Sequence, residues 1–172
     1  MRKAIYLAIL IVCLIFSSAY AAKWERLDVP VGHGADALID QFYAVDRLEI
    51  LNSYERDAIY GFYFWRKEFY SRPEDGKGQV EYKIYLSRID VRKKPWVIYD
   101  SLLYTKVWFE QPIVEANPQW INRGSVSSDN PENILIAKQV IGKTNELVRQ
   151  DKVKARNIPI RIQTALVPED MK

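Results

Sequence analysis

The sequence predicts an α+β domain, in which a curved, mostly antiparallel sheet of about five or six strands carries one C-terminal helix on one face. Three observations support this fold class. Residues 80–87 alternate apolar and polar side chains with the period of a half-buried strand. Residues 59–69 are dense in aromatic rings, which favours a pleated strand. Residues 134–148 repeat apolar side chains at helical spacing, which predicts a helix lying on the sheet.

The first strands are short. We expect them at Trp24–Val31 and Ala37–Phe42, separated by a turn in which His33 stands between two glycines. Residues 45–54 are compatible with either a strand or a loose turn. The aromatic strand Ile59–Phe69 follows and is the first element with a strong local signal.

The middle of the chain predicts a hairpin and a basic turn. Residues 71–78 contain proline and Asp-Gly, which are typical of a hairpin loop. In the strand that follows, Val80, Tyr82, Ile84 and Leu86 share one face. A turn over 92–95 then leads into a long or broken strand over 96–109.

The last third predicts an irregular crossing segment followed by the helix. Prolines at 112 and 118 bound the crossing segment. Asp129-Asn130-Pro131-Glu132 is a typical helix start, and the apolar stripe ends near Gln150. Lys152, Lys154 and Arg156 suit a helix C-terminus. Residues 158–167 alternate like a final strand, or form a loose tail.

The N-terminus has the three parts of a secretory signal peptide. Basic residues at positions 2 and 3 precede an apolar run from Ala4 to Phe16, and Ala19-Tyr20-Ala21 fits the cleavage pattern. We therefore expect a signal peptide over residues 1–22, cleaved after Ala21 or Ala22. Two alternatives are a retained membrane anchor and a lipoprotein acylated at Cys13. Val12 disfavours the second, because acylation needs a small residue there.

Composition narrows what the exported part does. We expect a sheet-plus-helix domain over 23–150 and a C-terminal strand or tail over 151–172. Cys13 is the only cysteine, so the remaining chain has neither disulfides nor thiolate metal sites. Without Arg2 and Lys3 the formal charge falls from +3 to +1. This near-neutral balance lacks the strong basic excess of a nucleic-acid binder.

His33 is the only histidine, and we interpret it as an exposed turn residue. A metal site or a general base would need a second histidine or a nucleophile at a suitable spacing. The segment Glu74-Asp75-Gly76 lacks the ligand spacing of a calcium loop. We expect neither a metal site nor a cofactor.

Paired carboxylates are the other candidates for chemistry, because two acids on either side of a bond can hydrolyse a glycoside. Asp40 and Asp46 lie in one region, and Asp90 and Asp100 lie on either side of the basic turn. The sequence does not place them in a common cleft. We therefore expect no catalytic residue.

Arg88, Arg92, Lys93 and Lys94 form the one local basic cluster. It is our candidate partner-binding site, because clustered cations attract an acidic glycan or an anionic lipid headgroup. The alternative is an ordinary solvated turn.

A set of aromatic positions carries a family resemblance. Trp24 opens the mature domain, Ile39-Asp40 follows, and Phe64-Trp65-Arg66-Lys67 lies in the aromatic strand. Residues 120–134 join a tryptophan to a serine-rich helix entry. This layout, over about Trp24 to Gln150, resembles the surface-adhesin protein E family of Gram-negative bacteria. The resemblance implies a small exported domain with a curved antiparallel sheet and a C-terminal helix.

The resemblance also implies a function. It predicts a non-catalytic module that binds a protein partner, such as a host extracellular matrix protein, at the cell surface. The alternatives are a structural or protein-interaction component of the periplasm and a small envelope hydrolase. A homodimer through the sheet stays open, and nucleic acid is not an expected partner. A binding module should expose an apolar, aromatic patch, whereas a hydrolase should have a deep pocket with converging acids.

Overall fold

The computed structural model describes residues 22–30, 37–52, 58–71, 79–156, 167–168 and 171–172. The expected signal peptide up to Ala21, the turn at His33 and the segment Glu74-Asp75-Gly76 lie outside the described residues. Most of the expected terminal strand, residues 157–166, also lies outside them. Within the described ranges, no helix is long and apolar enough to cross a membrane.

The described residues form nine strands and one α-helix. The strands are β1 (Trp24–Arg26), β2 (Leu38–Ala44), β3 (Glu49–Asn52), β4 (Ile59–Tyr70), β5 (Val80–Asp90), β6 (Val97–Val107), β7 (Ile113–Val114), β8 (Ile121–Ser125) and β9 (Lys154–Arg156). The helix α1 spans Pro131–Arg149, and a short 3-10 turn spans Val45–Arg47.

All nine strands belong to one sheet, with the order β1-β2-β4-β5-β6-β7 along its main path. Off this path, β3 pairs with β4 and β8 pairs with β6, both antiparallel, while β9 pairs with β3 in parallel. The predicted fold class is confirmed: an open, mostly antiparallel sheet with one C-terminal helix. The strand count exceeds the predicted five or six because the short strands β3, β7, β8 and β9 have weak local signals.

The central strands β4, β5 and β6 agree with their sequence patterns. Tyr82, Ile84 and Leu86 are buried on one face of β5, as the alternation predicts. Beyond them, Ser87 and Ile89 on the other face are also fully buried. The sheet is therefore covered on both faces at its centre, unlike a half-exposed antiparallel sheet.

The helix covers one side of the sheet, which we call the helix face. Ile136, Ala137 and Val140 of α1 are buried in one cluster with Phe64 and Ile98 of the sheet. The predicted start at Asn130-Pro131 is confirmed, with Pro131 as the first helical residue. Lys154 and Arg156 do not follow the helix as a basic end. They lie in β9, because the chain leaves the helix and pairs with β3.

The opposite face has its own core. Ile84, Leu86 and Leu103 are buried there together with Met171, which is 1% exposed. Trp24, Trp65 and Trp120 pack against this cluster from its margins. Three of the five tryptophans therefore serve packing, as large rings in a small domain usually do.

Candidate functional site

The structure divides the predicted basic cluster into residues with and without an acidic partner. Arg92 donates to both carboxylate oxygens of Asp90, from Nε to Oδ1 at 2.9 Å and from Nη2 to Oδ2 at 2.6 Å. These hydrogen bonds lower the pKa of the Asp90 carboxyl and raise the pKa of Arg92. Arg92 therefore already has a carboxylate partner, while its side chain stays 52% exposed.

Arg88 lies on β5 and points away from the helix face. Its guanidinium carbon stands 4.6 Å from the ring centre of Tyr99 and 4.8 Å from that of Trp120. Tyr99 is its direct neighbour across the β5–β6 pair. Among the described residues, its Nε has no hydrogen-bond partner and no carboxylate forms a salt bridge with it. Arg88 is therefore stacked on aromatic rings, and its charge acts on Asp90 without forming a salt bridge.

Lys93 extends the same surface. Its ammonium lies 5.6 Å from the ring centre of Tyr99, so two cations approach one ring. Lys93 and Lys94 are exposed, while Arg88, Tyr99 and Trp120 are half-buried. We call Arg88, Lys93, Tyr99 and Trp120 the cation–aromatic cluster. Of the four predicted basic residues, the structure brings Arg88 and Lys93 together, gives Arg92 to Asp90 and leaves Lys94 in solvent.

The acids considered for catalysis do not converge. Asp40 lies 2.5 Å from Arg26, and Asp46 accepts a hydrogen bond from the backbone of Lys23. Asp90 and Asp100 are directed to opposite faces of the sheet. Across the described ranges, the side chains include no group of three acids, histidines or cysteines that could hold a metal ion.

A buried charge network occupies the helix face near the start of α1. Arg66 is 1% exposed, and its Nη2 donates to Oδ2 of Asp100 at 2.5 Å. Its Nη1 donates to Oε1 of Gln41 at 2.8 Å and also to the carboxylate of Glu68. Ser87 donates to the second oxygen of Asp100 at 2.6 Å. Four strands therefore supply partners to a single buried cation.

Arg123 connects this network to the helix. Its Nη1 donates to Asp100 at 3.2 Å, and its Nη2 donates to Glu132 in the first turn of α1. Its Nε donates to Asn133 at 3.2 Å, and Gln41 donates to Glu132 at 2.8 Å. The network thus fixes the beginning of the helix to the sheet through polar contacts, where the apolar core does not reach.

The pKa values of this network follow from its close pairs. Burial lowers the pKa of Arg66, but the charges of Asp100 and Glu68 outweigh it, so the pKa lies above its ordinary value. Burial raises the pKa of Glu68, but the charge of Arg66 and the hydrogen bond from Tyr70 hold it below 4.5. Burial and the charge of Glu68 raise the pKa of Tyr85. These groups stay in one charge state near neutral pH, which suits a structural role.

A third feature is an apolar edge formed by Phe109, Ile113, Val114 and Ile121. These are the four most exposed large apolar side chains of the described residues, at 70%, 58%, 57% and 65%. Ile113, Val114 and Ile121 belong to β7 and β8, which among the described strands pair only with β6. Their outer sides are sheet edges, which proteins normally protect with charged residues or proline.

Phe109 has an unusual backbone conformation within this edge. Its φ angle is 61°, in the left-handed region that bulky residues rarely adopt. Its ring contacts Trp108 at a centre-to-centre distance of 6.1 Å but stays exposed. Strain of this kind persists where the surrounding structure maintains it, often at binding surfaces.

A cleft of about 540 Å³ separates β1 from the helix. Glu25, Tyr43, Lys143 and Glu146 line it together with other side chains. Lys143 lies 3.4 Å from Glu25 and 3.2 Å from Glu146, so its main charges are already paired with one another. Burial and Glu25 raise the pKa of Tyr43 to about 12, which keeps its hydroxyl protonated.

Comparisons with known proteins find no match among protein-family models, curated proteins or solved structures. The resemblance to the surface-adhesin protein E family therefore stays a prediction.

Sequence reasoning found the cations of the cluster but missed its rings. Tyr99 could have been found from the sequence. Arg88 and Tyr99 lie equally far from the turn that joins β5 and β6, so they are expected to be cross-strand neighbours. Trp120 could not have been found in this way, because it lies in an irregular segment whose position relative to β5 cannot be derived from strand register. Arg66 carried one local signal, a charged residue at an inward position between Phe64 and Glu68, both of which are buried.

Proposed function

We propose that this chain is an exported, non-catalytic module that binds another protein through its apolar edge. The observation that carries the proposal is the concentration of exposed apolar side chains on β7, β8 and Phe109. A small domain that exposes apolar residues along an unpaired sheet edge risks aggregation unless a partner uses that edge.

The proposed occupant is an extended segment of the partner, which adds a strand beside β7 and β8. In this mode, backbone hydrogen bonds supply affinity and alternate side chains supply specificity. Ile113 and Val114 lie between Glu110 and Glu115, and all four are exposed. These acids favour a partner segment whose apolar residues have basic neighbours.

The left-handed Phe109 supports the same proposal. A strained backbone costs about 1–3 kcal/mol, so an exposed aromatic residue held there needs a compensating use. The positions of the acids also favour a non-catalytic module over a glycoside hydrolase. A hydrolase would need two of these acids in one cleft, and they lie apart.

A binding assay with immobilised vitronectin and laminin tests the proposal. We expect the mature domain to bind at least one of them, and Ile113→Lys and Ile121→Lys each to weaken binding about tenfold, since lysine on an edge opposes strand addition. The matched control is Val148→Lys on α1, where the side chain is 48% exposed and lies away from the edge.

The alternative is a structural component of the periplasm. Protease treatment of intact cells separates the two locations, with a periplasmic protein as control. Loss of the domain under these conditions agrees with a surface module. Protection of the domain, together with no binding to any extracellular protein, would replace the proposal by the structural role.

A further inference from the structure

We propose that Arg88 and Lys93, positioned by Tyr99 and Trp120, form a carboxylate-binding site for an acidic segment of a partner protein. This site shares no residue with the apolar edge. One can therefore fail its test while the other passes.

The first support is that Arg88 is already oriented. Its guanidinium lies within 5 Å of two ring centres, Tyr99 at 4.6 Å and Trp120 at 4.8 Å. A free arginine loses much side-chain entropy when it binds a ligand, and a stacked arginine has lost part of it in advance. Arg88 as a whole is half-buried, and its Nε is buried.

The second support is that no described carboxylate forms a salt bridge with this cation. The pKa of Asp90 is lowered first by its hydrogen bonds with Arg92 and also by the charge of Arg88, but the carboxylate is bound to Arg92. Arg66 and Arg92 each have carboxylates within 2.6 Å, whereas Arg88 has no salt bridge among the described residues. Its Nε is buried with no acceptor, so the two terminal nitrogens carry its available donors. A carboxylate is the anion that matches two parallel donors of a guanidinium.

The third support identifies the size of the charged ligand. Because Arg92 is bound to Asp90, the cations of this turn that form no salt bridge with a described residue are Arg88, Lys93 and Lys94. A sulfated polysaccharide or a nucleic acid is held by a longer row of cations along its backbone. Two or three cations suit one or two carboxylates.

The fourth support concerns the class of partner. Arginine, tyrosine and tryptophan are the residues that most often dominate binding between proteins. Here one residue of each type takes part, because Arg88 stacks on Tyr99 and Trp120. An acidic protein segment can use both the charge and these rings.

The test uses fluorescence anisotropy with a labelled peptide of alternating glutamate and glycine. We expect the mature domain to bind this peptide, and Arg88→Lys and Arg88→Ala each to weaken binding about tenfold. Lysine keeps the charge but loses the fork and the stacking, so it separates a shaped site from general attraction. Lys93→Ala, an exposed change, should weaken binding a few-fold.

Arg149→Ala is the matched control, because it removes one exposed cation from the end of α1. It should leave binding unchanged. Circular dichroism confirms that each variant is folded; if Arg88→Ala is not, Arg88→Lys and Lys93→Ala decide.

Three results would overturn the proposal. The first is that the wild-type domain does not bind the peptide. The second is that Arg88→Lys binds like the wild type, or that Arg149→Ala loses as much affinity. The third is that a heparin fragment, or vesicles of anionic phospholipid, bind more tightly than the peptide and depend on Arg88. In that case the ligand is a polysaccharide or a membrane.

Discussion

Arg66 and Arg88 lie on neighbouring strands of one sheet, and both lie over aromatic rings, Arg66 at 4.7 Å from the ring centre of Tyr85, but they differ in their acidic partners. Arg66 is directed to the helix face, where Asp100 and Glu68 pair with it and Gln41 accepts a further hydrogen bond. Arg88 is directed to the other face, where Tyr99 and Trp120 hold it. The comparison teaches that the partner of an arginine decides its use. Since both arginines stack on rings, the difference lies in the carboxylates, which neutralise the charge of Arg66 and form no salt bridge with Arg88 among the described residues.

The largest expected effect comes from breaking the Arg66 side of this comparison. Arg66→Met leaves two buried carboxylates without their cation, so we expect the free energy of unfolding to fall by about 3–5 kcal/mol. Urea denaturation measures it through the midpoint. Arg88→Met is the matched control and should cost clearly less. Equal losses would mean that Arg66 contributes packing alone.

Acidification should give the second-largest effect, because it weakens the charge network around Arg66. The pKa of Glu68 is lower in the folded protein than its ordinary 4.5, so its contribution to stability is complete above that value. It is lost as the pH falls through the lower, folded-state pKa. We expect the unfolding free energy of the wild type to decrease over this range. Glu68→Gln should show a shallower decrease, and an identical pH profile would contradict the assignment.

The stacking around Arg88 should give a smaller effect. A double-mutant cycle with Arg88→Met and Trp120→Leu should return a coupling energy of about 1 kcal/mol, the usual size of a cation–π contact that is partly exposed. Thermal or urea unfolding of the four proteins measures it. A coupling near zero would show that the rings do not hold the guanidinium.

The smallest effect is expected at the paired surface cation. Arg92→Gln should lower the free energy of unfolding by no more than about 1 kcal/mol, because the Arg92 side chain is 52% exposed and solvent screens the pair. Urea unfolding is again the measurement. A loss as large as that of Arg66→Met would show that Asp90, which is 3% exposed, depends on Arg92 as Asp100 depends on Arg66.

The sequence predicts the elements whose signals are local. The alternation at Tyr82, Ile84 and Leu86 and the proline start of α1 depend on neighbouring residues, so their predictions are confirmed. β7 has two residues and β9 has three, too few for any periodicity. These strands form because β7 pairs with the edge of β6 and β9 with the edge of β3. Such pairing depends on the tertiary structure and leaves no local pattern in the sequence.

The cation–aromatic cluster can be predicted only in part from the sequence, for the same reason. The cations at 88 and 92–94 are visible as a run, but which of them is neutralised depends on hydrogen-bond geometry that the sequence does not contain. Asp90 could equally have paired with Arg88, which lies two residues before it, as Arg92 lies two residues after it. The structure selects Arg92, and that selection leaves Arg88 for the rings.

The parallel pairing of β9 with β3 has a consequence for how the domain assembles in time. Hairpins such as β4–β5 and β5–β6 join strands that are consecutive in sequence, so their loops close at low entropic cost. In the β3–β9 pair, Glu49 lies opposite Lys154, and the two residues are separated by most of the described chain. The strand β9 is the first strand after α1. Long-range pairings of this kind form slowly. We therefore expect β9 to join the sheet last during folding. We also expect it to be the first strand to separate from the sheet in local unfolding.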